Sequence, residues 1–397
     1  MPGQRSTAPF ARGLNITSWA LYDFANTAFY AVVVTRYLPL HVMELTGGKH
    51  YFINFGFYPA MIAAAFLAPW LGGSVGRIGF SKRCVIGLTC LCVLFTTLMT
   101  MARDPWALVG LFALAQVSYQ LALVPYNNLL PTLASRQRLG TVSGIGVGLG
   151  YLGVVVSLPI AQKMMDSYPG YGTAYLTAAC LFLLFSLPLF LIVPEKQSEG
   201  GRVQMPRLAD FTRLLREPRR RWFIIGNFLC ADALNAIFVF MVVFFKNDLG
   251  FGTQAITRTI IWLNIAALAG GIAWGPLTDR ITPRRAMITA ALFLGAAIGI
   301  AEFFRSEGLT FWSMILLGGP GVAGLWVAGR KWVVQLAPPG EMGSLFGLYG
   351  MTNKLSLVNA VIFALLADLT GEYVWSVLVI LLSLVVGAGI LWRVREP

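Results

Sequence analysis

The chain has 397 residues, of which 57% are hydrophobic and only 12% are charged. Soluble domains carry about 25% charged residues, so this composition excludes an ordinary soluble protein. The formal charge of +13 would suit a nucleic-acid partner, but the basic residues are scattered over short gaps between apolar segments. Because no basic, aromatic surface domain remains, we expect no nucleic-acid partner.

Apolar segments long enough to cross a membrane fill the chain. A transmembrane helix needs ~20 mostly apolar residues to cross a hydrocarbon core of ~30 Å. Twelve windows reach that length, at 13–45, 51–75, 83–103, 105–133, 140–166, 171–193, 221–247, 253–278, 285–305, 309–337, 342–369 and 372–393. We therefore predict an all-α membrane protein of twelve transmembrane helices in two pseudo-symmetric six-helix bundles. The predicted units are residues 1–193, a linker at 194–220, and residues 221–397.

Basic residues concentrate in alternate gaps between the predicted helices. Lys82, Arg83, Arg136, Arg138 and Arg280 lie in gaps on one side, whereas the other side holds only a few cations. This asymmetry follows the positive-inside rule and predicts that both termini and the linker are cytoplasmic. The short tails and compact loops favour a bacterial inner membrane.

The first predicted helix contains SWALYDFANTAFYAVVV, with a carboxylate inside an apolar segment. Asp23 follows Arg12 by eleven residues, which places it ~16 Å deep if the helix enters at Arg12. Asp23, Asn26, Thr27 and Tyr30 share one helical face. A carboxylate in the membrane must face a protein interior or water, so we expect this face to contact substrate, a proton or an amine. The alternative is that these side chains only join neighbouring helices by hydrogen bonds.

A second polar stripe lies on the fourth predicted helix. Gln116, Tyr119, Gln120 and Asn127 fall on one face and are predicted to line the same cavity, with interhelical hydrogen bonding as the alternative. The linker then contains PRLADFTRLLRE, which is either a short amphipathic helix on the membrane surface or a solvated segment.

The seventh helix repeats a pattern of the first. Asp232 and Asn235 form the same D-x-x-N motif as Asp23 and Asn26, and both are predicted as substrate contacts. Gly140 and Gly144 match Gly343 and Gly347 at an offset of 203 residues, which indicates duplication of a six-helix unit. The same offset places Arg330 and Lys331 opposite Asn127 and Asn128. Because these two cations lie near the end of the tenth helix, we expect them to reach toward lipid phosphates.

Several motifs resemble the Major Facilitator Superfamily over the whole chain. The loop GPLTDRITPRRA after the eighth helix is similar to its G-x-x-x-D-R-x-G-R-R pattern, and GGSVGRIGFSKR after the second is similar except for Gly76 in place of Asp. WALYDFANTAF (19–29), LPTLASRQRLGTVSGIGVGLGYLG (130–153) and FGLYGMTNKLS (346–356) most resemble the vacuole-effluxer-like family, which includes autophagy-related amino-acid effluxers. The resemblance implies the major facilitator fold.

The resemblance also implies roles for particular residues. Arg77, Asp279, Arg280 and Arg284 would take part in a charged cytoplasmic latch that gates the two halves, although simple topology explains the loop cations as well. Lys354 lies ~20 Å beyond Glu341 on the eleventh helix and needs a counter-ion or water there. Helices seven and eleven are neighbours in that fold, so we hypothesise a Lys354–Asp232 pair. The alternative is that Lys354 binds an anionic group of the substrate.

The implied function is secondary transport of a small polar organic solute by alternating access, with amino acids as the first candidate and efflux as the direction. Two alternatives stay open: a proton-coupled importer of an organic acid or sugar, and a receptor that keeps a transporter fold without moving solute. The chain has only two histidines and no nucleotide-binding loop, so we predict no enzyme activity, cofactor, catalytic residue or metal site. The expected partners are a small-molecule substrate, the lipid bilayer and an optional proton, and the protein is expected to be a monomer.

Overall fold

The computed structural model describes residues 9–78, 80–195 and 207–395, and it contains helices and no strand in those ranges. The first half comprises α1 (Pro9–Phe29), α2 (Leu38–Leu45), α3 (Asn54–Ile78), α4 (Ser81–Leu98), α5 (Pro105–Leu133), α6 (Leu139–Ser167) and α7 (Tyr171–Ile192). The linker contributes α8 (Leu208–Arg216). The second half comprises α9 (Pro218–Val243), α10 (Thr253–Arg280), α11 (Pro283–Phe304), α12 (Glu307–Ser313), α13 (Gly319–Leu336), α14 (Met342–Leu355), α15 (Val358–Thr370) and α16 (Tyr373–Arg393).

Several of the twelve membrane crossings are built from more than one helical piece. A π-helical segment, Tyr30–Tyr37, joins α1 to α2, and another, Met314–Gly318, joins α12 to α13. The eleventh crossing is broken at Ser356 and Leu357, between α14 and α15. When the helical pieces of one crossing are counted together, the described part of the chain has twelve crossings. The predicted architecture of twelve helices in two bundles is confirmed.

Eleven of the crossings are long and apolar enough to span a membrane by composition, within the described residues. The first crossing is not among them, and it is the one that carries Asp23. The polar face predicted on this helix therefore lowers its mean hydropathy. The polar side chains need hydrogen-bond partners from neighbouring parts of the protein.

The two halves meet along two seams. In the first seam α6 packs against α10, and in the second α3 packs against α14. We call the end of the bundle that carries α8, Arg138, Asp279 and Glu341 the linker end, and the opposite end the far end. Both seams are closed at the linker end, as the contacts below show.

Glycines make the first seam tight. Gly144 of α6 lies against Gly271 and Gly275 of α10, so closely that a Cβ on Gly144 would stand 2.7 Å from the Cα of Gly275. Farther along the same helices, Lys163 and Thr257 are exposed. The close contact between the halves is therefore concentrated toward the linker end.

Candidate functional site

A buried ion pair joins the two halves beneath the surface of the linker end. Arg330 of α13 donates to both oxygens of Asp23 on α1, from Nη1 to Oδ2 at 2.6 Å and from Nη2 to Oδ1 at 3.2 Å. The side chains are 12% and 5% exposed, respectively. A bidentate arginine–carboxylate pair is a strong and directional interaction, so it fixes α13 against α1.

Aromatic rings enclose this pair. Trp19 stacks on Tyr126 at a centroid separation of 4.7 Å, and the Arg330 guanidinium lies 5.9 Å and 5.8 Å from the two ring centroids. Asn26 donates to Asp23 Oδ1 at 3.2 Å, which adds a further hydrogen bond to the carboxylate. Exclusion of water by the rings strengthens the ion pair, because charges attract more strongly at low local dielectric.

The expectation that Arg330 and Lys331 reach toward lipid is wrong. Lys331 is only 3% exposed, and its Nζ donates to Asp279 Oδ1 at 2.7 Å. Both cations instead face carboxylates inside the protein, which is one way to compensate a charge within a membrane protein.

Asp279 belongs to a polar cluster that crosses the first seam. Its carboxylate accepts from the backbone N–H groups of Gly140 and Thr141, both at 2.8 Å, and from the Thr141 hydroxyl at 2.6 Å. These N–H groups belong to the first turn of α6, where the helix dipole favours a negative charge. We call Asp279, Lys331, Gly140 and Thr141 the latch.

Two further residues predicted for gating, Arg280 and Arg284, do not join the latch. Arg280 is exposed at the end of α10. Arg284 donates to the backbone oxygens of Trp392 and Val394, within its own half. The side chain of Arg77 lies outside the described residues.

Among the residues that the structure describes, the second seam shows no equivalent of the latch. The offset of 203 residues places Gly76 where the first seam has Asp279, and Asn128 where it has Lys331, so both charges are missing. Asn128 bonds to Ser81 within its own half. Contact is made by backbone instead: a Cβ on Gly347 would stand 2.6 Å from the carbonyl oxygen of Ala68.

The linker helix α8 covers this second seam. Phe211 is buried and meets Trp70 of α3 edge to face, with centroids 5.5 Å apart. Arg213 donates to Glu341, which precedes α14, at 2.7 Å. The helix predicted for this segment is confirmed, but its apolar side packs on protein through Phe211 and Leu214 instead of lying free for the membrane surface.

Asp232 and Asn235 hydrogen-bond backbone groups on both sides of the break in the eleventh crossing. The N–H of Asn359, in the first turn of α15, donates to Asp232 Oδ2 at 3.0 Å. Asn235 donates to the backbone oxygens of Asn353 and Ser356 at 3.2 Å and 2.9 Å. The motif therefore supplies both an acceptor and a donor to the backbone groups that the break leaves free.

The hypothesised Lys354–Asp232 pair is wrong. No Asp or Glu oxygen in the described ranges lies within 4.0 Å of Lys354 Nζ, which donates to the carbonyl oxygen of Gly350 at 3.2 Å. Asp232 instead accepts from the backbone N–H of Asn359 at 3.0 Å.

The remaining predicted residues lie on the first crossing and on α5. Tyr30 and Tyr119 pack together inside the first half with centroids 6.0 Å apart, and Thr27 donates to the backbone of Asp23. Gln116 donates to the sulfur of Met61, while its Oε1 and the Oδ1 of Asn127 are buried without a partner. Gln120 is 8% exposed on the side of α5 that faces α14, as its neighbour Val124 shows.

Two cavities lie near these elements. One, with room for about one water molecule, is lined by Asn227, Trp326, Tyr349 and Asn353 among others of the second half. The other is an open surface pocket of about 630 Å³ on the exposed face of α10 from Thr253 to Trp262, and it contains none of the predicted site residues. The first contains interior polar groups of the second half, but Lys354 is not among its lining residues.

Comparison with known proteins places the chain. The sequence model of the Major Facilitator Superfamily matches residues 24–358 and 260–397. The chain therefore belongs to that superfamily of transporters, and it is an integral membrane protein and not an enzyme. The uncharacterized MFS-type transporter YxiO of Bacillus subtilis is 24% identical over 405 aligned residues, covering 96% of this chain and 94% of YxiO. Multidrug resistance protein MdtG of Escherichia coli is 26% identical over 295 residues, 70% of this chain and 69% of MdtG.

Solved structures agree on the fold. A bacterial homologue of the iron transporter ferroportin, in an outward-facing state, superposes with a TM-score of 0.77 at 16% identity, covering 96% of this chain and 98% of the homologue. The predicted superfamily and fold are confirmed by these matches.

Proposed function

We propose that the protein is a secondary transporter that moves a small polar organic solute across a bacterial inner membrane by alternating access. The observation that carries this proposal is the Asp23–Arg330 pair, a buried contact between the halves that must break for the linker end to open. A pair of this kind stabilises one of two packing states, which is what a rocking-bundle transporter needs. The site is proposed to lie beyond the pair, among Asn26, Thr27, Tyr30, Gln116, Tyr119, Gln120, Asn127 and Lys354.

The orientation follows from charge. Lys82, Arg83, Arg138 and Arg280 lie at the linker end, so the positive-inside rule makes that end cytoplasmic, with both termini and the linker there. In this orientation the described state is closed toward the cytoplasm. The units 1–193, 194–220 and 221–397 are then the two moving bundles and their connection, in a monomer.

Amino acids are the first substrate candidate and efflux the proposed direction. The effluxer-like motifs at 19–29, 130–153 and 346–356 support amino acids. Similarity to a protein named for multidrug resistance supports outward movement. Asp232 and Asn235 are proposed to act on the eleventh crossing, because Asp232 Oδ2 and Asn235 Nδ2 are hydrogen-bonded to its backbone.

A flux measurement tests the proposal. The purified protein is reconstituted into liposomes loaded with a mixture of radiolabelled amino acids, and release of label is compared with protein-free liposomes. We expect release by the wild type and a fall to background for Asp23→Asn. Arg258→Gln is the control, because it removes an exposed ion pair with Glu307 inside one half.

Other results favour the other functions. Transport of organic acids or sugars only, driven by a proton gradient, would replace the amino-acid effluxer by a proton-coupled importer. Binding of a solute without flux of any of the three classes would favour a receptor and contradict transport.

A further inference from the structure

The inner part of the eleventh crossing presents one face to the other half of the molecule. Gly343, Gly347, Gly350 and Lys354 share this face, at spacings of four, three and four residues. Gly343 lies against Gly72, and Gly347 lies against Ala68 and Pro69. Lys354 therefore continues the seam one turn beyond its last glycine contact, about 18 Å along α14 from Met342.

Lys354 differs from the other cations buried in the helices. Arg330 is paired with Asp23 and Lys331 with Asp279, each at less than 3 Å. Lys354 is just as buried, at 4% exposure, yet within the described ranges its ammonium meets no carboxylate, and a single backbone carbonyl accepts from it. An ammonium has three donors, so two N–H groups are left for another acceptor.

The helix opposite Lys354 offers a neutral polar group at the same level. Val124 of α5 approaches Gly350, and Gln120 lies one turn nearer the far end on the same face, as Lys354 does on α14. One turn farther, Gln116 Oε1 is buried and has no hydrogen-bond partner among the residues that the structure describes. Two amides and one uncompensated ammonium thus face a common region between α3, α5 and α14.

We propose that Lys354 binds the carboxylate of the transported solute, and that Gln120 and Gln116 hydrogen-bond its remaining polar atoms. A buried cation without a counter-ion is costly, and a ligand carboxylate removes that cost through a charge-assisted hydrogen bond. Asp23 cannot be the main charge contact, because Arg330 already occupies both of its oxygens. This inference rests on the transport function proposed above and narrows its substrate to an organic anion or zwitterion.

The first arm of the test needs no substrate. Thermal unfolding is measured for purified wild type, Lys354→Met, Lys354→Arg and the control Lys163→Met, whose lysine is exposed on α6. Replacing an uncompensated buried charge by an apolar side chain of similar size stabilises a protein, so we expect the unfolding temperature of Lys354→Met to rise by ~2–4 °C, with no shift for the control. A fall for Lys354→Met would show that the lysine is structural and would overturn the proposal.

The second arm tests the substrate class. The same proteins are heated with L-leucine, L-glutamate and succinate, and with L-leucinamide and succinamide as neutral-headed analogues. We expect at least one acid to raise the unfolding temperature of the wild type and of Lys354→Arg, but not of Lys354→Met, and the amides to have no effect. Equal stabilisation by acid and amide, or no stabilisation by any acid, would overturn the carboxylate assignment.

The two arms separate this inference from the transport function. Neither arm measures flux, so stabilisation by an acid through Lys354 would stand even if liposomes showed no transport. Conversely, flux that is unchanged in Lys354→Met would leave the transporter intact and remove Lys354 from its site.

Discussion

The two seams between the halves differ in how they hold the linker end closed. The first seam, α6 against α10, carries the latch, with a carboxylate on a helix N-terminus and a lysine behind it. The second seam, α3 against α14, lacks both charges and closes through backbone contact at glycines, with α8 lying over it. The two seams are thus alike in close glycine packing, while among the described residues only the first has a carboxylate and a lysine paired across it.

This difference has a physical reading. A charge-assisted hydrogen bond is directional and depends on a single pair of groups, whereas close glycine contact depends on many small dispersion terms that fall off steeply when the helices separate. The first seam should therefore respond to loss of single charges, and the second to added volume. The predictions below test that contrast, and cysteine reporters distinguish the seams: Ser143→Cys on α6 and Ser344→Cys on α14, both at buried positions.

The largest effect is expected for Arg330→Met. It leaves Asp23 buried without its partner, which typically costs about 3–5 kcal/mol of stability. Chemical denaturation of the purified protein measures the loss. The double variant Asp23→Asn/Arg330→Met should recover most of it, and a double variant as unstable as the single one would contradict the pairing.

Asp279→Asn should open the first seam alone. The substitution removes the charge that α6 and Lys331 share, and hydrogen bonds to charged groups contribute about 1.5–3 kcal/mol. Labelling of Ser143→Cys by a maleimide, in a background without the five native cysteines, should quicken roughly 10–100-fold. Equal acceleration at Ser344→Cys would show that the seams open as one unit.

Gly72→Val should open the second seam. A Cβ on Gly72 would overlap the backbone of Gly343, and overpacking costs about 1–3 kcal/mol. Faster labelling of Ser344→Cys is expected, with Ser143→Cys less affected. Gly87→Val on α4 is the matched control, because a Cβ there meets nothing within 4 Å.

The double variant Gly76→Asp/Asn128→Lys should give the second seam ionic contacts like those of the first. It restores the two charges that the offset predicts, opposite the first turn of α14, and is expected to stabilise closure by about 1 kcal/mol. Labelling of Ser344→Cys should slow about fivefold. Unchanged labelling would mean that α3 and α14 do not hold the geometry of the latch.

The smallest effect is expected for Arg213→Gln on α8. Its ion pair with Glu341 is largely exposed, and such pairs contribute about 0.2–1 kcal/mol. A slight increase in Ser344→Cys labelling that disappears at high salt would confirm it, since salt screens exposed charges. A large effect would assign α8 a greater share of closure than its contacts indicate.

The sequence predicts the architecture and one member of each ionic contact. Apolar length gives the crossings, duplication gives the two halves, and the carboxylate at Asp23 indicates an interior position. The partners are missed, because Arg330 is 307 residues from Asp23 and its position near a helix end resembles that of a lipid-facing cation. The offset of 203 held the missing signal: Asn128 and Gly76 are both neutral where Lys331 and Asp279 are charged.

The broken eleventh crossing is also invisible in sequence. The break falls at Ser356 and Leu357, where no proline or glycine indicates it. The break depends on Asp232 and Asn235 of another helix. Their side chains hydrogen-bond backbone groups that would bond to one another within a continuous helix. Those same bonds explain why the D-x-x-N motif of α9 serves a different purpose from that of α1.

The glycines of α6 lie on two sides of that helix and bring both α10 and α1 close to it. Gly144 and Gly148 lie toward α10, while Gly146 and Gly150 lie on the other side toward α1, where a Cβ on Gly146 would stand 2.6 Å from Asp23 Oδ2. At these four glycines α6 presents bare backbone to both neighbours, so backbone contact helps to set its distance from α1 and from α10. We expect a displacement of α10 to reach Asp23 through these contacts.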